Sequence, residues 1–292
     1  MSQTISVRDG VISGPVREPV NAAAQQKGSI HDDATASKLG FRGGTVAGSI
    51  HMDQFPPLLV EAFGPRWFER GSLSLYFVNA TMGGEGVRAF GAAPPAGVTD
   101  AQIEVWMERD PDGLRVAEGT ASVGDVSEET ELERRDLRIG DPGELRMFSS
   151  FGPGTALSSH HVRLDGAQQR ERIERGHLTE PLDWYTGDSP WGGPIACPST
   201  LVGFLFRGPS ADLGRHSGGA VGLFGAIQVR HVNGPLLLDR EYDITAEVVG
   251  VGQSPKTEYV VFDSAASADG ERVADMRMLL RWMKASSTLY RD

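Results

Sequence analysis

The residues best equipped for proton chemistry stand close together near the N-terminus, where His31 is followed directly by Asp32 and Asp33 and then by the pair Gly43-Gly44. An imidazole titrates near neutral pH and can take or give a proton, and a neighbouring carboxylate can orient it or share the transfer. Backbone amides at a glycine-rich helix start lack helical acceptors, and glycine lets a ligand approach them closely. Gly43 and Gly44 can therefore hold a carbonyl oxygen whose charge grows as an enolate forms. Together these residues describe proton removal next to a carbonyl. His31 would move the proton, Asp33 or Asp32 would assist, and the Gly43-Gly44 amides would stabilise the oxyanion. Plainer roles stay open: a helix cap for His31, first-turn carboxylates for Asp32 and Asp33, and tight packing for the glycines.

Other groups extend or limit this chemistry. His51 and Asp53 lie two apart in an apolar stretch, so on a helix they point in different directions, and His51 either fills the core or lines the pocket. Trp184, Tyr185 and Asp188, followed by Trp191, are candidates for a pocket wall; filling the core is the alternative for the aromatics. His160-His161 has no Cys, Asp or Glu at ligand spacing, so no metal is expected. There is no phosphate-binding loop, dinucleotide fingerprint or Gly-x-Ser-x-Gly elbow, so no cofactor is expected either. The single cysteine, Cys197, excludes an intrachain disulfide and reads as a small core residue in a reducing compartment. A formal charge of -11 with no basic block excludes nucleic acid as a partner. No apolar run reaches the roughly 20 residues of a membrane span. The expected setting is cytoplasmic, with a small-molecule substrate and a homodimeric or higher homo-oligomeric assembly.

The elements that must position these groups follow from composition and period. Asn21 to Lys27 combines a capping residue with helix formers, and His31 to Leu39 predicts a short helix stopped by Gly40. An apolar helix follows Gly43-Gly44 and must break or turn at Pro56-Pro57. Four strands are predicted at Leu73 to Val78, Gly86 to Phe90, Gln102 to Glu108 and Leu114 to Val123, in direct succession and hence antiparallel. The acidic stretch from Gly124 to Glu144 predicts a solvated linker or surface helix. After it the order repeats. Ser189 to Ala196 echoes Gly40 to Ala47, a helix is predicted from Pro198 to Phe206, a glycine-rich loop from Gly208 to Gly222, and strands at Phe224 to Val232, Glu241 to Val251, Thr257 to Ala265 and Arg272 to Met283. The expected domains are residues 1–125, an acidic linker 126–145, and residues 146–292.

An apolar helix followed by a four-stranded meander is buried when the sheet curls around it, which is the hotdog arrangement. Two fused copies can cover their open edges by pairing. The expected fold is thus α+β, a tandem double hotdog of two antiparallel sheets, each wrapped around a central helix. The chain resembles the MaoC-like (R)-specific enoyl-CoA hydratases and dehydratases, whose motif runs Asp-x-Asn-Pro-x-His-x-Asp, then an Ala, a Gly-Phe and a Gly-rich helix start. His31-Asp32-Asp33, Ala36, Gly40-Phe41 and Gly43-Gly44 match it. Gln26 stands where the family carries its catalytic Asp, and Gly28-Ser29 replace Asn-Pro. The resemblance implies a hydro-lyase acting on an acyl thioester, with CoA as the leading carrier. Gln26 leaves two alternatives open: an enzyme recruited to isomerisation, cyclisation or another elimination, and a non-catalytic binding protein. In the second half, Pro181-Leu182-Asp183-Trp184-Tyr185 resembles the motif with its histidine lost.

Overall fold

The computed structural model describes residues 5–291. A short hairpin of β1 (Ser6–Arg8) and β2 (Val11–Ser13) leads through turns to helices α1 (Asp33–Lys38), α2 (Gly48–Met52), α3 (Pro56–Phe63) and α4 (Trp67–Arg70). Strands β3 (Gly71–Phe77), β4 (Val87–Ala92), β5 (Ala101–Arg109) and β6 (Arg115–Val123) follow, then α5 (Glu131–Arg134). The later half holds β7 (Ala156–Arg163), α6 (Ala167–Glu174), the long helix α7 (Pro198–His216), and β8 (Gly222–His231), β9 (Glu241–Gln253), β10 (Thr257–Ala268) and β11 (Glu271–Met283).

Every strand anticipated from the meander pattern is present; the clearest of them alternate between a wet and a dry face, while β3, β6 and β10 are buried on both faces over most of their length. In β5, Ala101, Ile103, Val105 and Met107 are buried while the residues between them are not. In β9, Tyr242, Ile244, Ala246 and Val248 alternate with exposed Glu241, Asp243, Thr245 and Glu247. The strands form one sheet in the order β1-β2-β4-β5-β6-β3-β8-β11-β10-β9-β7. Within it β4-β5-β6-β3 and β9-β10-β11-β8 share one connectivity, and they meet where β3 pairs antiparallel with β8, Ser74 opposite Gln228. The two sheets are thus continuous, and the inner edges of both are covered.

Two local expectations give way to tertiary contacts, and a third, the surface helix in the acidic stretch, is present but tied to the sheet. Residues 21–27 form turns instead of a helix, and the Asn21 side chain donates to the His31 carbonyl at 2.9 Å. α7 does not stop at Phe206 but runs through Gly208 and Pro209 to His216. Asp212 on its far half accepts from the Ser158 amide and hydroxyl, and Gly208 allows close approach to β7, since a Cβ there would meet the Ser158 carbonyl at 2.7 Å. The acidic connection is not simply solvated. Thr130 and Glu133 form a capping box on α5, and Leu132, 2% exposed, packs with Ala226, Tyr259, Val261 and Leu279 on the sheet's outer face.

Candidate active site

A cavity of about 560 Å³ opens between the halves, a volume suited to a small ligand or an acyl chain. The first half supplies Gln26, Ser29, His31, Thr45, the start of α2 and the end of β3; the second supplies Phe206 and Ser210 of α7, Phe224 of β8, and Leu280 and Trp282 of β11. Among the described residues, its lining contains no Asp, Glu, Lys or Arg. His31 Nδ1 lies 2.7 Å from the Thr45 carbonyl oxygen. A carbonyl only accepts, so Nδ1 carries the proton and donates, and neutral His31 keeps a lone pair on Nε2. Gly48 and Ser49, the first residues of α2, also line the cavity, and their amides have no acceptor inside the helix.

The structure separates several residues grouped by sequence. Asp32 is buried, accepts from Thr35 Oγ1 at 2.7 Å and Lys27 Nζ at 2.9 Å, and is held down to about 2 by these bonds. It lies outside the cavity lining and is no base at neutral pH. Asp33 is exposed, and its Oδ1 accepts the Gly44 amide at 2.7 Å. That amide is therefore engaged, and neither Gly43 nor Gly44 lines the cavity. The reason is local: the helix starts at Gly48, four residues beyond the glycine pair. Gly44 instead permits close packing, since a Cβ on it would lie 2.2 Å from the His31 carbonyl oxygen. Gly44→Ala should therefore displace His31 and lower turnover roughly 10- to 100-fold; steady-state kinetics beside a melting curve checks this.

His51 lines the same cavity as His31, with its Nε2 2.8 Å from Thr81 Oγ1. Trp184, Tyr185 and Asp188 do not line it. Their place becomes clear from the internal repeat. Thr45 N donates to Ile30 O at 3.0 Å, and Ile195 N donates to Trp184 O at 2.9 Å. His31 thus corresponds to Tyr185 and Gln26 to Glu180, five residues out of step with an alignment of the two Gly pairs, and Thr45 corresponds to Ile195, one residue out of step with it. Val78 and Val232 each bond to the matching strand, to Val116 and Val273 respectively, so Phe77 corresponds to His231.

The equivalent second site is filled. Phe68, Trp184, Trp191 and His231 pack ring against ring, with Trp67 edge-on to both Phe68 and His231. Glu180 is neutralised by Arg17, Tyr185 is wholly buried, and Asp188 is exposed. Burial pushes the Cys197 thiol up to about 11, which suits an inert core residue.

Residue spacing gives no sign of a polar joint that links α2 to α7. Asp53, 1% exposed, accepts from Ser199 N at 2.8 Å, Ser199 Oγ at 2.5 Å and Arg172 Nη2 at 3.1 Å. It follows α2 and caps the first turn of α7, so it ties the helix start beside His31 to the helix that forms the opposite wall. Asp53→Ala should cost about 3–5 kcal/mol, because it leaves the Arg172 charge and the Ser199 amide without their partner. Urea unfolding measures this, and Asp53→Asn, which keeps an acceptor for the amide, should lose less.

This architecture is that of the double-hotdog proteins. The chain is similar to a protein from Chloroflexus aurantiacus described as a MaoC domain dehydratase, with a TM-score of 0.64, 12% identity, and coverage of 95% of this chain and 96% of that one. It is similar to a conserved hypothetical double-hotdog protein of Mycobacterium tuberculosis, with a TM-score of 0.60, 12% identity and 97% of each chain covered. It is also similar to the dehydratase domain of PpsC from Mycobacterium tuberculosis, solved in complex with C12:1-CoA, with a TM-score of 0.53, 11% identity, and coverage of 96% and 98%. No protein-family model and no curated protein sequence matches the chain. Among the described residues, no helix is long and apolar enough to cross a membrane, and no cluster of His, Cys, Asp and Glu could hold a metal ion.

Proposed function

We propose that the protein is a hydratase or dehydratase of acyl thioesters, using His31 as the proton-transferring group. The observation that carries this reading is the fixed imidazole: Thr45 holds Nδ1–H, which leaves Nε2 as the basic nitrogen of a ring on the wall of an uncharged cavity. The lining favours a neutral reacting group such as a thioester over a free carboxylate, which would meet no cationic side chain among the described residues of the lining. The apolar second-half wall suits an acyl chain, and the acyl-CoA bound by the PpsC domain gives a precedent on the same fold.

In dehydration, His31 Nε2 takes the proton α to the carbonyl and the electron pair moves onto the carbonyl oxygen as an enolate. The Gly48 and Ser49 amides are the donors on the cavity wall for that oxygen. The enolate then collapses to form the α,β double bond, the β-hydroxyl leaves, and His31 returns the proton to it as water departs. Hydration is the reverse. One imidazole serves as base and acid in turn, which accommodates Gln26 at the position of the family's Asp. A second reading, isomerisation or cyclisation through the same enolate, draws its support from the lack of a carboxylate among the described residues of the cavity lining.

Crotonyl-CoA and a longer enoyl-CoA separate the two. Loss of the enoyl absorbance with a His31-dependent rate supports hydration. Exchange of the α-proton of a saturated acyl-CoA with solvent deuterium, without hydration of either enoyl compound, supports the second reading.

A further inference from the structure

The internal repeat isolates a second polar pair, His51 on the cavity wall and the Thr81 that bonds it. Val46 N donates to Thr81 O as Ala196 N donates to Leu236 O, so Thr81 corresponds to Leu236. The helix starts at Gly48 and Pro198 likewise align His51 with Leu201. Leu201 and Leu236 are buried members of the apolar core. The fold therefore requires nothing polar at this pair of positions. The first half nevertheless carries His51 and Thr81 there, 2% and 1% exposed. His51 is on the wall of the same cavity as His31, and its Nδ1 has no hydrogen-bond partner among the described residues. Leaving a buried nitrogen unpaired is unfavourable, and a ligand able to bond to it removes that penalty.

We propose that His51 Nδ1 binds the β-hydroxyl of a 3-hydroxyacyl thioester, with Thr81 fixing the rotation of the ring. This inference rests on the thioester reading above. A hydroxyl both donates and accepts, so it satisfies Nδ1 in either tautomer, which a carbonyl or a methylene does not. Burial holds the imidazole neutral, with its pKa down at about 4, so His51 acts as a hydrogen-bonding group and leaves proton removal to His31. A saturated acyl chain in the same place would leave the nitrogen unpaired, and the site thereby discriminates for the hydroxylated compound.

The test compares the affinities of the full-length protein for 3-hydroxybutyryl-CoA and butyryl-CoA by calorimetry, in the wild type and in a His51→Leu/Thr81→Leu variant. The wild type should bind the hydroxy compound about tenfold or more tightly. The variant should bind both equally, with an undiminished thermal midpoint, since it carries the pair the second half already buries. His31→Ala should keep the preference. Equal affinities in the wild type, or a preference that survives in the double variant, overturns the inference while leaving the thioester reading intact. Failure of the wild type to bind either compound removes both, and it is seen before any substitution is made. Nitrogen NMR of the native protein gives a check that needs no variant: the His51 Nδ1 signal should move with 3-hydroxybutyryl-CoA and not with butyryl-CoA, and the reverse pattern overturns the assignment.

Discussion

Replacing His31 with alanine should lower the turnover of an acyl-thioester substrate by about 10²- to 10⁴-fold, the usual worth of a positioned acid–base group. The folded state should barely notice, because the side chain makes one hydrogen bond, to the Thr45 carbonyl, and its loss costs about 1 kcal/mol. His31→Gln sharpens the test. A glutamine amide can still donate to a carbonyl but cannot take a proton, so activity should stay lost while any orienting role is preserved. Asp33→Ala should be much milder, since Asp33 is exposed and acts by accepting the Gly44 amide. A His31→Ala enzyme with full activity, measured on crotonyl-CoA beside the wild type, would end the reading of His31 as the proton carrier.

The strands and the repeat were legible in the sequence because both depend on local alternation and on the order of elements. The pattern in β5 and β9 is the pattern of burial itself. The site was legible only in part. His31 follows from a motif, but the donors beside it do not, because the first helical residue is set by long-range pairing. Thr45 bridges to Met82, which carries the chain past Gly44 before α2 begins at Gly48. Asp53 had the same handicap: its partners, Arg172 and Ser199, lie more than a hundred residues away in the chain. A signal was nevertheless present. Aligning Gln26 and His31 with Glu180 and Tyr185 gives the Ile30–Trp184 correspondence found in the hydrogen bonds, and the second half is then four residues shorter on the way to Ile195, the counterpart of Thr45. The same alignment shows why only one of the two equivalent positions carries the cavity. The strand start Gly222–Phe224 leaves room where its counterpart in the first half presents Phe68 to Trp184 and Trp191.

The repeat also predicts how the protein fails in acid. His51 and His231 are both fully buried, and burial alone brings each imidazole down to about 4 from its ordinary 6.5. The unfolded chain takes up protons on both as pH falls below about 6.5, whereas the native state refuses them until about 4. Their contribution to stability is therefore complete above about pH 6.5 and is lost as pH falls through that window, by about 3 kcal/mol for each ring. Two groups work the other way. Burial pushes the Asp53 carboxyl up, so its protonation favours the native state, and at the surface Asp243 and Glu241 raise His161. The histidines should outweigh them, because two rings act over the same window and neither has a compensating charge. Urea unfolding from about pH 7.5 to about pH 4.5 should show stability falling steeply. The other half of the molecule supplies the diagnostic replacements: His231→Phe installs what stands at the matching Phe77, and His51→Leu what stands at Leu201. Each should remove about half of the slope, and together they should leave it nearly flat. A slope that survives both substitutions would assign the acid sensitivity to other groups, and with it the view that the two imidazoles are held neutral by burial would fall.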